Sequence, residues 1–206
     1  MPALSESAIA ELLVPYLPDP PATLLPQLVT YLDLLLKWNA RTNLTAIRDP
    51  EEIVRRHFGE SLFAAQNLKL GNPAPSAPSA ITLFDLGSGA GFPGLPIALL
   101  RPEIQVTLAE SQNKKAVFLR EAVRTLNLPN VEVWAARAET MPAKRQFRIV
   151  TLRAVDNMEA ALSAATVRVA PGGLLALLTT VSQAPSGGRS LPLPNSKSGV
   201  LHLQTL

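Results

Sequence analysis

The run Asp85-Leu86-Gly87-Ser88-Gly89-Ala90-Gly91-Phe92-Pro93-Gly94 concentrates residues that can hold a ligand. Glycines at this spacing let a molecule approach the main chain with no Cβ in the way, and a helix beginning behind them offers unpaired amides. Taken alone, the run fits a tight turn without a ligand, or a site for a dinucleotide, a flavin or S-adenosylmethionine. Asp85, two residues ahead of the first glycine, favours the last of these. A carboxylate there repels a pyrophosphate, whereas it suits a ligand carrying a sulfonium and an ammonium group. Glu110 stands 19 residues past Gly91 and can accept hydrogen bonds from both hydroxyls of a ribose, a demand that dinucleotides and adenosylmethionine share. Further on, Ala136-Arg137-Ala138-Glu139 offers main chain and a carboxylate that could flank an adenine. Each acid singly also reads as a solvated strand-end side chain. Three of them at successive strand ends, Asp85, Glu110 and Glu139, form a pattern that points to a ligand.

What is missing narrows the chemistry further. The chain has no cysteine, which removes disulfides, thiolate metal sites and the covalent nucleophile that methylation at cytosine C5 requires. Enzymes that methylate exocyclic amino groups of bases place an Asn/Asp-Pro-Pro-aromatic motif after the fourth strand; here the residues are Thr151-Leu152-Arg153-Ala154. Arg153 could hold a carboxylate or a substrate oxygen, or pair with a neighbouring acid such as Glu139 or Asp85. His57 and His202 are the only histidines and give no metal-ligand spacing, so no metal is expected.

The elements that must position these residues follow from periodicity. Leu24, Leu25, Leu28, Tyr31, Leu32, Leu35 and Leu36 recur at three-and-four spacing and predict a helix ending near Trp38. Asp49-Pro50-Glu51-Glu52 predicts a second helix, with Asp49 as cap and Ile53, Val54, Phe58, Leu62 and Phe63 as its buried face. Residues 71–80, GNPAPSAPSA, form a low-complexity seam. Beyond it, short apolar runs at 81–86, 104–109, 131–135, 147–152 and 174–180 read as strands. Helices are expected after residue 94, over 113–127 and from Asp156 to about 169. The tail after Val181 reads as loop, with 200–206 as a final strand and one sheet edge short or missing. The fold class is therefore α/β, a mostly parallel sheet with helices on both faces, plus an N-terminal helical extension. The expected organisation is a helical layer over 1–70, a linker over 71–80 and a ligand-binding core over 81–206.

A net charge of +3 over 206 residues is mildly basic and permits an anionic partner without requiring one. No basic segment precedes an apolar run at the N-terminus, and the apolar stretch over 24–38 is interrupted by Asp33 and Lys37. The expectation is a cytoplasmic protein with no membrane partner.

The segments LLLKWNARTNLTAIRDP (34–50) and DLGSGAGFPGLPIALLRP (85–102), with Glu110-Ser111, Lys114-Lys115 and Phe118-Leu119-Arg120, are specific. Over roughly 24–178 the chain resembles the bacterial 16S ribosomal RNA guanine-N7 methyltransferase family, also known as glucose-inhibited division protein B. The resemblance implies a Rossmann-like class I methyltransferase fold, adenosylmethionine as methyl donor, and as substrate a guanine of 16S ribosomal RNA or the small ribosomal subunit, bound by a monomer. Carried over position by position, Gly87, Gly89 and Phe92 would meet the methionine and ribose ends of the cofactor, Glu110 the ribose, and Ala138 and Glu139 the adenine. Arg153 would complete that pocket. Asn43, His57, Lys114, Lys115 and Arg137 would lie on the RNA side, with Lys37, Arg41, Arg48, Arg55, Arg56, Arg120 and Arg124 as further cations. Guanine N7 is an unprotonated lone pair, so the implied reaction requires no catalytic acid or base. The chain departs from the family at Ala176-Leu177-Leu178-Thr179-Thr180, which lacks the lysine the family carries on its fifth strand. A small-molecule methyltransferase and a non-catalytic cofactor-binding protein on the same fold are the alternatives.

Overall fold

The computed structural model describes residues 2–69, 80–153 and 158–206. Most of the linker expected at 71–80 and the helix start expected at Asp156 lie outside these residues.

Five apolar runs pair side by side in parallel, each joined to the next by a crossover and not by a hairpin. They are β1 (Thr82–Leu86), β2 (Gln105–Ala109), β3 (Val131–Trp134), β4 (Phe147–Arg153) and β5 (Val169–Thr180). The helices α5 (Gly94–Leu100), α6 (Asn113–Thr125) and α7 (Met158–Thr166) fall between them. Two further strands, β6 (Arg189–Pro192) and β7 (Gly199–Thr205), complete a seven-stranded sheet in the order β3-β2-β1-β4-β5-β7-β6. β7 lies antiparallel to β5 and β6 antiparallel to β7. The order reverses between β1 and β4, and open sheets of this kind bind ligands at the carboxyl ends of strands beside that reversal.

Side chains alternate between two cores with the strand period of two. Leu83, Val106, Leu108, Ile149, Leu174, Ala176 and Leu178 face one core; Phe84, Val150, Leu152, Leu175 and Leu177 face the other. The first core is continuous with the N-terminal helices α1 (Glu6–Leu13), α2 (Leu24–Asn39) and α4 (Glu60–Asn67), while the one-turn α3 (Pro50–Glu52) buries none of its residues. Asp49 caps α3 as expected, accepting from the amide of Glu52 at 2.8 Å. Between α3 and α4 the chain widens into a π-helical segment, Ile53–Gly59, where the apolar spacing predicts uniform α-helix. None of the helices among the described residues is long and apolar enough to cross a membrane.

The C-terminal side departs from the sequence expectation in two places. β5 begins at Val169 instead of 174, because Val169 already pairs with Phe147 and the Pro171-Gly172-Gly173 stretch is absorbed as an irregularity of that ladder. The tail read as loop contains β6, whose Pro192 and four-residue length leave no apolar alternation to detect. The sheet edge is thus present and short, which limits pairing with other chains.

Candidate functional site

The glycine-rich loop leaves β1 and is held from three sides. The amides of Gly87 and Ser88 both donate to the carbonyl of Ala109 at 3.0 Å, tying the loop to the end of β2. From above, the buried Tyr31 hydroxyl on α2 donates to Ala90 O at 2.5 Å. The Tyr31 ring stacks on Phe58 and Phe92, and Phe92 in turn stacks on His57 with centroids 4.7 Å apart. Gly91, with φ +93°, passes so close that a Cβ would meet Tyr31 Oη and Leu95. From below, Asp85 accepts from Gly94 N at 3.2 Å and from the Thr151 hydroxyl at 2.8 Å. Asp85 is 1% exposed, and burial raises its carboxyl to about 6 against those hydrogen bonds. Its carboxylate therefore works on the loop and lines neither of the two clefts that flank it.

Gly87 joins these two clefts. The first, of about 210 Å³, opens over the ends of β1, β2 and β3 and is lined by Leu86, Gly87, Ala109, Glu110, Ser111, Ala136, Arg137, Ala138 and Glu139. Glu110 forms its buried acidic floor, with Oε2 accepting from Gly89 N at 3.0 Å and Oε1 from Gln112 N at 2.7 Å. The second, of about 370 Å³, lies under residues 44–47 and is lined further by His57, Gly87, Ser88, Gly89, Ala90, Phe92, Lys115 and Arg153. At the junction Gly87 has φ +74°, and the direction of its absent Cβ is open space. Among the expected cofactor residues, all but Asp85 line one cleft or the other. Of the residues expected on the RNA side, His57, Lys115 and Arg137 line the clefts, whereas Lys114 and Asn43 are exposed outside them.

The roof is built by Asn39. Its side-chain oxygen accepts from Leu44 N and Thr45 N at 2.9 and 3.0 Å, and its amide donates to Thr45 O at 3.0 Å. Arg48 adds bonds to Asn39 O and to the Asn43 side chain. Thr45 lies 2.7 Å from His57 Nε2. Burial, followed by the charges of Arg153 and Arg56, lowers the His57 pKa to about 3, so the ring is neutral and shares one hydrogen bond with the Thr45 hydroxyl.

Arg153 pairs neither with Glu139 nor with Asp85. It reaches across to the helical layer, where Nη2 donates to Glu60 Oε2 at 2.8 Å and to Arg56 O at 2.7 Å. Both side chains of the pair are at least nine-tenths buried. The π-helical segment makes this possible: the Glu60 amide turns to His57 O, and Arg56 O takes the guanidinium. Sequence reasoning missed Tyr31, Glu60 and Thr151 as site-building residues. Tyr31 sits on an ordinary apolar stripe and Glu60 on a helix with other acids, so neither carries a local signal. Asn39 and Thr45 stand within the distinctive 34–50 segment, but their spacing alone assigns them no role.

Over residues 24–184 the chain matches the GidB family model, described as rRNA small subunit methyltransferase G. The chain belongs to this family. The curated GidB-family relative from Xanthomonas campestris pv. campestris, named ribosomal RNA small subunit methyltransferase G, is 43% identical over 148 residues, 72% of this chain and 65% of that protein. Its counterpart from Xylella fastidiosa is 47% identical over 131 residues, 64% of this chain and 57% of that protein. The chain thus spans about 65% of the length of the Xanthomonas relative. Among solved structures, a SAM-dependent methyltransferase from Aquifex aeolicus superposes with a TM-score of 0.55 at 15% identity, covering 74% of this chain and 92% of that one. That likeness places the GidB-family chain in the Rossmann-like methyltransferase fold.

Proposed function

We propose that the chain is an S-adenosylmethionine-dependent methyltransferase that methylates N7 of a guanine in small-subunit ribosomal RNA, acting as a cytoplasmic monomer. The observation that carries this reading is the joining of the two clefts at Gly87 in a chain of the GidB family. The donor set fits the cofactor. Glu110 keeps lone pairs for two ribose hydroxyls beside its amide bonds, residues 137–139 offer main chain to an adenine, and the bare Gly87 leaves room for the chain between nucleoside and amino acid.

When bound, adenosylmethionine supplies an electrophilic methyl on a sulfonium. The protein's own part is to place and enclose the acceptor. Phe92, His57 and the 44–47 roof would wall the acceptor into the second cleft. The sulfonium and the methylated purine are both cationic, and of the three basic residues lining the cleft, His57, Lys115 and Arg153, two are kept from opposing them. His57 is neutral, and Glu60 offsets the Arg153 charge. No group has to accept a proton from N7.

Phosphates would be held by exposed cations around the mouth. Trp38 packs edge-on to Phe118 at 5.8 Å, so the end of α2 and the length of α6 form one surface. Lys37, Lys114, Arg120 and Arg124 are exposed on these helices and Arg41 in the turn after α2, and none of them forms an ion pair among the described residues. Incubation with tritiated adenosylmethionine and small-subunit RNA, naked or assembled, tests the reading. Label recovered as N7-methylguanine is expected; label confined to small metabolites, or none, refutes it.

A further inference from the structure

Arg168, between α7 and β5, is 5% exposed and takes part in no ion pair among the described residues. Its guanidinium is spent on four main-chain carbonyls of one segment. Nη1 donates to Pro142 O at 2.7 Å and Arg145 O at 3.3 Å; Nη2 donates to Ala138 O at 3.0 Å and Met141 O at 2.8 Å. Burying a cation without a counter-ion is unfavourable unless its donors are all satisfied, and only the planar fork of arginine can serve carbonyls in this arrangement. The segment it gathers is pinned at its far end by the Arg145–Glu132 ion pair and by buried Met141, but between them it has no strand or long helix of its own. β3 ends at Trp134, and a single 3-10 turn, Ala138–Thr140, follows. That turn forms the outer wall of the first cleft, where Ala138 and Glu139 lie. Arg168 itself is anchored by its main chain, with its amide on Ala165 O and its carbonyl on Phe147 N at 2.7 Å.

We infer that Arg168 is the positioning residue for the purine end of the cofactor: it fixes the 138–145 main chain from behind and so sets the wall against which an adenine ring lies. This rests on the methyltransferase reading. A purine held by hydrogen bonds to main-chain atoms tolerates little displacement of those atoms, since such bonds weaken steeply with distance and angle.

The test compares the full chain with Arg168→Lys, which keeps the charge and loses the fork. Binding of S-adenosylhomocysteine and of 5′-methylthioadenosine, measured by calorimetry, should weaken in parallel by roughly tenfold or more. The cofactor KM should rise by the same factor, while kcat at saturating cofactor and the KM for RNA stay within about twofold. Unchanged affinity for both nucleosides, or equal losses in kcat and RNA KM, overturns the inference and leaves the methyltransferase reading standing. If the unaltered protein binds neither nucleoside, the methyltransferase reading falls and this inference with it. A measurement on the unaltered protein covers the case in which the variant does not fold. Amides of 138–145 should already be protected from hydrogen exchange before cofactor is added; fast exchange there overturns the inference.

Discussion

Asp85 and His57 lie on opposite sides of the glycine-rich loop, and burial makes their protons count in opposite directions. The folded state holds the Asp85 proton more tightly than the unfolded chain does, at about 6 against 3.8. Its contribution to stability is therefore complete below pH 3.8 and lost as pH rises through 6. His57 is lowered from 6.5 to about 3, so its contribution is complete above pH 6.5 and lost as pH falls through 3. The unfolding free energy of Asp85→Asn minus that of the unaltered protein should accordingly grow by up to about 3 kcal/mol between about pH 4 and pH 7. His57→Gln should flatten the acid limb instead. Denaturant titrations across this range read both. Gly87→Val forces a β-branched residue to φ +74° and points it into the cleft junction. It should cost about 1–2 kcal/mol of stability and remove adenosylmethionine binding in calorimetry. At this scale, Gly87, Glu110 and Ala138 were legible in the sequence because spacing after a strand fixes where they stand. The duty of Asp85 was not, since whether a strand-end acid faces a ligand or its own loop depends on partners such as Thr151, 66 residues away.

The glycine loop owes its shape to α2 as much as to its own sequence. Tyr31→Phe removes the bond to Ala90 O and keeps the stacked ring, so it should cost about 1 kcal/mol and loosen cofactor binding by a few-fold. A larger loss is expected where β4 meets the π-helical segment. Arg153→Met takes away the buried partner of Glu60 and leaves it the half-exposed Arg56, so it should cost somewhat less than the about 3–5 kcal/mol of a fully stranded buried charge in thermal or chemical unfolding. Arg153→Met combined with Glu60→Leu should recover part of that, because no charge is then stranded. Periodicity located α2, β1, β2 and β4 because their apolar repeats are long or fully buried. It could not give the π-helical widening, which leaves the buried positions Ile53, Val54 and Phe58 as they would be in an α-helix. Nor could it find β6, whose four residues are mostly exposed.

Across the whole molecule, charge is only partly sorted: Glu110 is buried at the floor of the first cleft, whose rim carries exposed Arg137 and Glu139, and cations without an ion pair among the described residues are spread over α6 and the end of α2. Replacing Lys37, Arg41, Lys114 and Arg120 by alanine should weaken RNA binding. The slope of log K against log salt should fall by about 0.7–0.9 for each phosphate no longer neutralised. Adenosylmethionine affinity should not change, since none of the four lines the first cleft. The helical layer and the sheet were separable in the sequence, where a proline-rich seam divides them. In the structure they share one apolar core from Ile9 to Leu203, and the Arg153–Glu60 pair spans the boundary. Peeling the layer away would expose that core and strand two charges, so neither part has a half-folded state to rest in. Scanning calorimetry should therefore record one transition with equal calorimetric and van't Hoff enthalpies. Proteolytic cutting within 71–79 should release no separately stable fragment.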